Sequence, residues 1–336
     1  MPALPPVTIV GAGLAGACAA AALAPHTAVT VWDDGRPGAT AAAAGLVNPH
    51  LGRKAKRAWR ATEALAAVRE LAGGTGAMRW TGLLRPAADA QQAETFAAQA
   101  QRHDGLDWLS PEAARAAAPE LHAPFGALDV GEGGSADLGA LRRALLDRAA
   151  SAGAELRSES WLPFAITDNT KIVLLCAGDA LRTLAPRLPL HAVKGQTVRL
   201  RPAAPLPLPP VAGRTYLVPQ PDGTVVVGAT FEHAFAHARP TPEGVAALRA
   251  RATELVPALA RAEVVEARAG VRLTVPTSAS PRRLPWLGPL DADGRRWVFG
   301  GLGAKGLLTA PLLASWLPRA LAAPDAVPPE LRPPRS

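Results

Sequence analysis

The feature that most narrows the possible folds lies at the start of the chain. Val7-Thr-Ile-Val10 is a short β-branched run that suits a buried parallel strand. Gly11-Ala-Gly13-Leu14-Ala15-Gly16 follows at once, and Ala17 to Leu23 continues as a good helix former. Between a strand and a helix, three such glycines have separate tasks. The first makes the tight turn, the second lets a pyrophosphate approach the backbone, and the third lets helix and strand pack closely. The amides that open the helix then face the phosphates. A second strand, Ala28-Val-Thr-Val-Trp32, ends at Asp33 with Asp34 beside it, about 20 residues past the first glycine, where an acid accepts hydrogen bonds from an adenosine ribose. The pattern predicts a dinucleotide-binding α/β domain and does not choose between NAD and FAD.

Val7 to Ala24 is nearly continuous apolar sequence, long enough to raise the question of a membrane span. Met1-Pro-Ala-Leu-Pro-Pro6 lacks the side-chain positive charge of a signal peptide, and Gly11, Gly13 and Gly16 weaken a spanning helix. A buried strand running into a buried helix accounts for the stretch, so the expectation is a cytoplasmic protein with no membrane partner. Cys18 and Cys176 sit in apolar runs far apart, which excludes a disulfide framework or a zinc site. The seven histidines show no metal-ligand spacing, and no metal is predicted.

The formal net charge of +8 invites a nucleic-acid reading. Of 36 basic residues, however, all but Lys54, Lys56, Lys171, Lys194 and Lys305 are arginine, in an alanine-rich chain. That pairing reads as coding bias, and charge alone speaks to solubility and non-specific binding. One dense cluster stands out: Arg53, Lys54, Lys56, Arg57 and Arg60. It is read as the start of a helix whose other face carries Trp59, Leu65 and Val68. Either it is a solvated helix face, or it meets an anionic substrate or a tRNA backbone.

Further segments follow in a definite order. Gly38-Ala39-Thr40 through Ala44-Gly45-Leu46 to His50 is a small-residue loop directly after the ribose-binding strand. Ile172-Val-Leu-Leu-Cys-Ala-Gly178 reads as a buried strand ending in a glycine turn. Tyr216 to Thr230 is a hairpin by its alternation and its Pro-Asp-Gly turn. Near the C-terminus come Ala269-Gly-Val-Arg272, Leu284-Pro-Trp-Leu-Gly288 and the strand Trp297-Val-Phe-Gly-Gly301. The turn Leu302-Gly303-Ala304-Lys305-Gly306-Leu307-Leu308 and a final helix close the series. Together these segments resemble the D-amino-acid oxidase and glycine oxidase family of FAD-dependent enzymes, from residue 7 to about residue 320.

The resemblance implies non-covalent FAD. It places Ala39, Thr40, Ala44, Gly45 and Leu46 beside the flavin, adds Leu162 and Gly178, and lets the turn from Gly301 to Leu308 donate amides near the ring. Arg272 is implied as the anchor of a substrate carboxylate, which a bidentate guanidinium suits; the bland alternative is a salt bridge. Tyr216 is implied at the substrate pocket, or else packs at a strand end. Lys305 is implied in substrate positioning. Where glycine-oxidase-like members have a second basic contact in the last turn, this chain has Ala304. The acid that commonly precedes Pro285 is missing, with Arg282 near its place.

The expected fold is α/β: a Rossmann-like FAD domain of residues 1–75, 130–192 and 285–336 with a smaller, mainly antiparallel β substrate domain of 76–129 and 193–284. The proline-rich tail after Pro318 is expected to be a loose end. The implied reaction is hydride transfer from the C–N bond of an amino acid or secondary amine to flavin N5. The imine is then hydrolysed and the flavin reoxidised by O2 or another acceptor. Gly303-Ala-Lys-Gly306 is closer to the turn in the FAD domain of the bifunctional tRNA wobble-uridine modification enzyme, so a second expectation is demodification of that uridine, with tRNA as the partner. A third is a flavin-binding subunit without turnover.

Overall fold

The structure is a computed structural model that describes residues 4–161 and 171–334, which leaves Leu162 outside. Val7–Val10 is buried along its whole length and pairs in parallel with Val29–Trp32 on one side and Ile172–Leu175 on the other. Glu155–Arg157 and Arg296–Gly300 extend the parallel sheet, and Trp286–Pro289 closes it antiparallel as a sixth strand. Strands buried on both faces read as unbroken apolar runs, as these do in the sequence. Helix Leu14–Leu23 packs against both Leu138–Ser151 and Gly306–Ala322 over this sheet.

Helix Leu14–Leu23 is buried nearly all round, so its sequence shows no polar face. Its approach to the first strand depends on Gly16. A Cβ added there would stand 1.8 Å from the Gly11 carbonyl oxygen.

The second half of the molecule is an eight-stranded, mainly antiparallel sheet. Its order is Glu263–Thr274, His191–Arg201, Val225–Gly228, Tyr216–Pro219, Val211–Ala212, Leu83–Pro86, Ala127–Val130, Leu106–Leu109. Tyr216–Pro219 and Val225–Gly228 form the expected hairpin, with Tyr216 opposite Gly228. Helix Pro242–Leu255 covers one face and buries Leu248 and Ala252 against Val198, Leu200 and Val227. A small three-stranded sheet of Leu46–Val47, Gly134–Ala136 and Met78–Arg79 lies beside these.

Two expectations change. The Arg53–Arg60 cluster does not begin a helix. His50–Leu51 and Lys56–Arg57 pair as a short antiparallel ribbon, and the helix runs Ala61–Ala72. Its basic side chains are drawn to acids: Arg53 to Asp89, Arg57 to Glu132 and Arg60 to Glu63. The tail is not loose either. After the helix ends at Ala322, turns at Pro324–Ala326 and Pro329–Leu331 bring Val327 and Leu331 into the core of the six-stranded sheet. Proline at the start of each turn presets the bend rather than loosening the chain. Among the described residues, no helix is long and apolar enough to cross a membrane.

The Gly16 contact sets a test of the packing. Gly16→Ala is expected to destabilise the protein by about 2–3 kcal/mol or prevent folding, because overpacking here meets backbone. Gly38→Ala, where a Cβ meets nothing within 4 Å, is expected to stay within about 0.5 kcal/mol. Urea unfolding of both variants checks the contrast.

Candidate functional site

The glycine turn opens helix Leu14–Leu23, whose first amides have no partner inside the helix. Leu14 N donates to Thr40 Oγ1 at 3.0 Å, which ties the turn to the small-residue loop. The carboxylate of Asp33 pairs with Arg142, and the same guanidinium donates to the Ala12 carbonyl. Arg142 thus clamps the ribose-type acid to the glycine turn. It escaped the sequence reading because only the packing of helix Leu138–Ser151 brings it there. Asp34 accepts from the Arg36 amide at 3.1 Å.

The loop after the second strand is held by the eight-stranded sheet. Thr197 Oγ1 donates to Ala42 O at 2.9 Å and Arg268 to Ala41 O at 3.1 Å. Gly270 lies so close that a Cβ would meet Ala39 Cα at 2.8 Å. At the other end, Gly303 N donates to Leu273 O at 2.9 Å and joins the last glycine turn to the strand that carries Arg272.

Between these parts lies a cavity of about 440 Å³. Leu14, Ala39, Thr40, Ala44–Leu46 and the turn Leu302–Leu308 line it, and Tyr216 and Arg272 face the same space. Gly11, Gly13, Ala15, Gly16, Asp33, Asp34, Gly178 and Gly301 are not part of that lining. Neither are His50, His233 and His237. His50 is fully buried behind the wall, its Nδ1 at 3.2 Å from Ala55 O, and His233 meets His191 at 3.0 Å.

Arg272 donates from Nη2 to the Thr230 carbonyl at 2.8 Å, with the Phe231 ring 4.3 Å from its guanidinium. The guanidinium lies directly over Gly195; a Cβ there would be 2.5 Å from Nη2. Burial holds the guanidinium below its usual range, and the nearby Tyr216 phenol opposes that shift. Among the described residues, no carboxylate pairs with Arg272. Behind it, Thr230 Oγ1 accepts from Gln196 N at 2.9 Å and bonds Glu232, which meets the buried Lys194 Nζ at 3.2 Å. Lys305 turns its ammonium to the carbonyls of Arg282 and Arg283, at 3.3 and 3.1 Å. Burial and then Arg283 push its pKa down.

Arg85 also lines the cavity, and the sequence reading passed over it. It is 7% exposed and donates from Nη1 to His50 O and from Nη2 to Gly52 O, both at 2.6 Å. Its Nε is buried with no hydrogen-bond partner. Burial pushes its pKa down to about 10, against an opposing effect of Tyr216. The available signal was a lone cation inside the apolar strand Leu83–Pro86.

The profile of the DAO family, FAD dependent oxidoreductase, matches residues 6–319. A glycine oxidase of Pseudomonas putida is 38% identical over 136 residues, 40% of this chain and 36% of that protein. A tRNA 5-methylaminomethyl-2-thiouridine biosynthesis bifunctional protein of Paracidovorax citrulli is 31% identical over 93% of this chain and 56% of its own length. The chain therefore spans little more than half, or less, of these curated relatives. The crystal structure of iminodiacetate oxidase from Chelativorans superposes with a TM-score of 0.80 at 25% identity, covering 97% of this chain and 98% of that one.

The Arg142 clamp yields a direct test. Arg142→Met leaves Asp33 without its partner, and removing one member of a partly buried pair costs about 1–3 kcal/mol. FAD affinity, measured by titrating apoprotein, is expected to fall about tenfold or more, with a smaller rise of the thermal midpoint on adding FAD.

Proposed function

This chain belongs to the DAO family of FAD-dependent oxidoreductases, and on that footing we propose that it oxidises the C–N bond of a carboxylate-bearing amino acid or secondary amine. The residues present fit the cofactor. A turn with Gly11, Gly13 and Gly16 at the head of a buried helix suits a pyrophosphate, and Asp33 at the end of the next strand suits a ribose. The loop Ala39–Leu46 and the turn Leu302–Leu308 are placed to hold the flavin end. We assign residues 1–75, 130–192 and 285–336 to this task and 76–129 with 193–284 to the substrate.

Bound FAD supplies a two-electron acceptor: a hydride leaves the carbon that bears the nitrogen, the resulting imine is split by water into a carbonyl compound and an amine, and O2 or another acceptor takes the electrons on. The protein's part is orientation. Arg272 clamps the carboxylate with donors that Thr230 O leaves free. Tyr216 limits the cavity on the substrate side, and Leu46, Leu302 and Leu307 keep water from the reacting carbon. Among the described residues, no carboxylate or imidazole lines the cavity. On this reading the amine arrives neutral, or loses its proton to water, before the hydride leaves. The observation that carries this reading is Arg272 itself: a desolvated cation without an acidic partner, bonded through its strand to the glycine turn.

The tRNA reading has its own support in the Paracidovorax relative and in exposed Lys54 and Lys56. It is the weaker one, because Arg53, Arg57 and Arg60 are already paired with Asp89, Glu132 and Glu63. Two buried free thiols, Cys18 and Cys176, accord with a cytoplasmic setting.

Arg272→Met is expected to lower kcat/KM for carboxylate-bearing amines by about 10²–10³, the cost of unpairing a buried charge, with FAD content unchanged. Anaerobic flavin bleaching reads both. Because no carboxylate or imidazole among the described residues lines the cavity, kcat/KM is expected to rise with pH toward the pKa of each amine. Two substrates of different amine pKa should shift the profile accordingly; a common inflection for both would point to a protein base.

A further inference from the structure

The charges lining the cavity are of one sign. Arg53, Arg85, Arg214, Arg272 and Lys305 face it, and among the described residues no acid does. Arg272 and Lys305 belong to the end near the glycine turn. Arg85 comes from elsewhere in the eight-stranded sheet. The strand of Arg85 lies two places from that of Tyr216, and the strand of Arg272 lies three places away on the opposite side. With strands about 4.8 Å apart, their backbones are about 24 Å apart along the sheet. Tyr216 stands between them and bears on the charge of both. The two guanidiniums therefore reach one cavity from strands five places apart in the sheet.

Arg85 is the more telling of the two. Its partners, the carbonyls of His50 and Gly52, are neutral, so they orient the guanidinium without balancing its charge. The Phe96 ring backs it at 5.0 Å. Its Nε has no acceptor. Burying a guanidinium without a counter-charge is unfavourable, and an anion in the cavity would offset that cost. Arg53 and Arg214 stand at the exposed rim beside it, and Arg53 already has Asp89.

We propose that Arg85 is a second anion anchor, and that the substrate carries an acidic group at the end remote from the carboxylate held by Arg272. This deepens the amine-oxidation reading and rests on it. The substrate class is an amino acid or N-substituted glycine with a terminal second acid. A small acid is favoured over an RNA phosphate because Arg85 is 7% exposed. A polymer backbone would meet the rim residues and leave Arg85 unpaired.

The test uses the full chain with FAD bound, under anaerobic conditions, and reads flavin reduction by two matched ladders. One contains N-(ω-carboxyalkyl)glycines and 2-aminodicarboxylates. The other contains N-alkylglycines and 2-aminoalkanoates of the same lengths. Acid-terminated compounds are expected to exceed their matched neighbours in kcat/KM by about tenfold or more at a preferred length. Arg85→Met should erase that advantage while leaving the alkyl ladder within about twofold, and Arg85→Lys should restore part of it. Because Arg85 also clasps the His50–Gly52 backbone, FAD content and thermal midpoint are recorded for each variant. Where a variant fails to hold FAD, the wild-type ladders decide alone. Equal rates on both ladders overturn the second anchor and leave amine oxidation standing. Reduction by neither ladder overturns amine oxidation of small molecules itself, and reduction by a wobble-modified tRNA in its place identifies RNA as the substrate.

Discussion

One backbone contact sets the position of everything that lines the cavity. Gly270 lies against Ala39 at a distance that no side chain would permit. At this point the strand of Arg272 touches the loop that leaves the six-stranded sheet. Thr197 and Arg268 pin the same loop through the carbonyls of Ala42 and Ala41. Arg272 lies two residues farther along the strand and on the same side, about 7 Å from the contact. The bond from Gly303 to Leu273 then brings in the last glycine turn. Loop, turn and the Arg272 strand are thus registered to one another by a backbone contact, a backbone hydrogen bond and two side-chain bonds to carbonyls.

The electrostatics follow from where acids have been admitted. At the outer wall, Asp89, Glu132 and Glu63 neutralise Arg53, Arg57 and Arg60 and hold the His50–Arg57 ribbon in place. Behind Arg272, Lys194 and Glu232 neutralise each other, and their network with Gln196 fixes Thr230, whose carbonyl aims the guanidinium. No acid among the described residues pairs with the cavity-lining guanidiniums of Arg85 and Arg272. Desolvation without compensation is unfavourable in isolation. A ligand that brought the missing charge would offset it, which is the electrostatic basis of the anion binding proposed above.

How much of this was legible in the sequence depended on how local each feature is. The first strand, glycine turn and helix are contiguous, and their residue types leave few alternatives. The Tyr216–Gly228 hairpin is likewise short-range, set by its own turn. Arg142 and Arg85 are different. Their meaning arises only when a distant helix reaches the glycine turn, or when Leu83–Pro86 enters the sheet beside Val211–Ala212, and no local pattern carries that information. The Arg53–Arg60 stretch was misjudged for the same reason. Its acids, Asp89 and Glu132, are remote in sequence, and the ribbon they pair with precedes the helix. In the tail, proline content concealed two apolar residues, Val327 and Leu331, spaced so that successive turns deliver both to the core.

The departures from the glycine-oxidase-like pattern fit together in space. Ala304 stands where such members resemble one another in carrying a second basic contact, and the neighbouring Lys305 directs its ammonium to the Arg282–Arg283 carbonyls. A further cation, Arg85, reaches the cavity from the other side of Tyr216 in the strand order. On the proposed reading, a substrate held by one carboxylate at Arg272 would leave Arg85 unmatched. Holding a longer one at both cations would fix the reacting carbon without any contact from the turn, which would link the departure at Ala304 to the buried cation at Arg85.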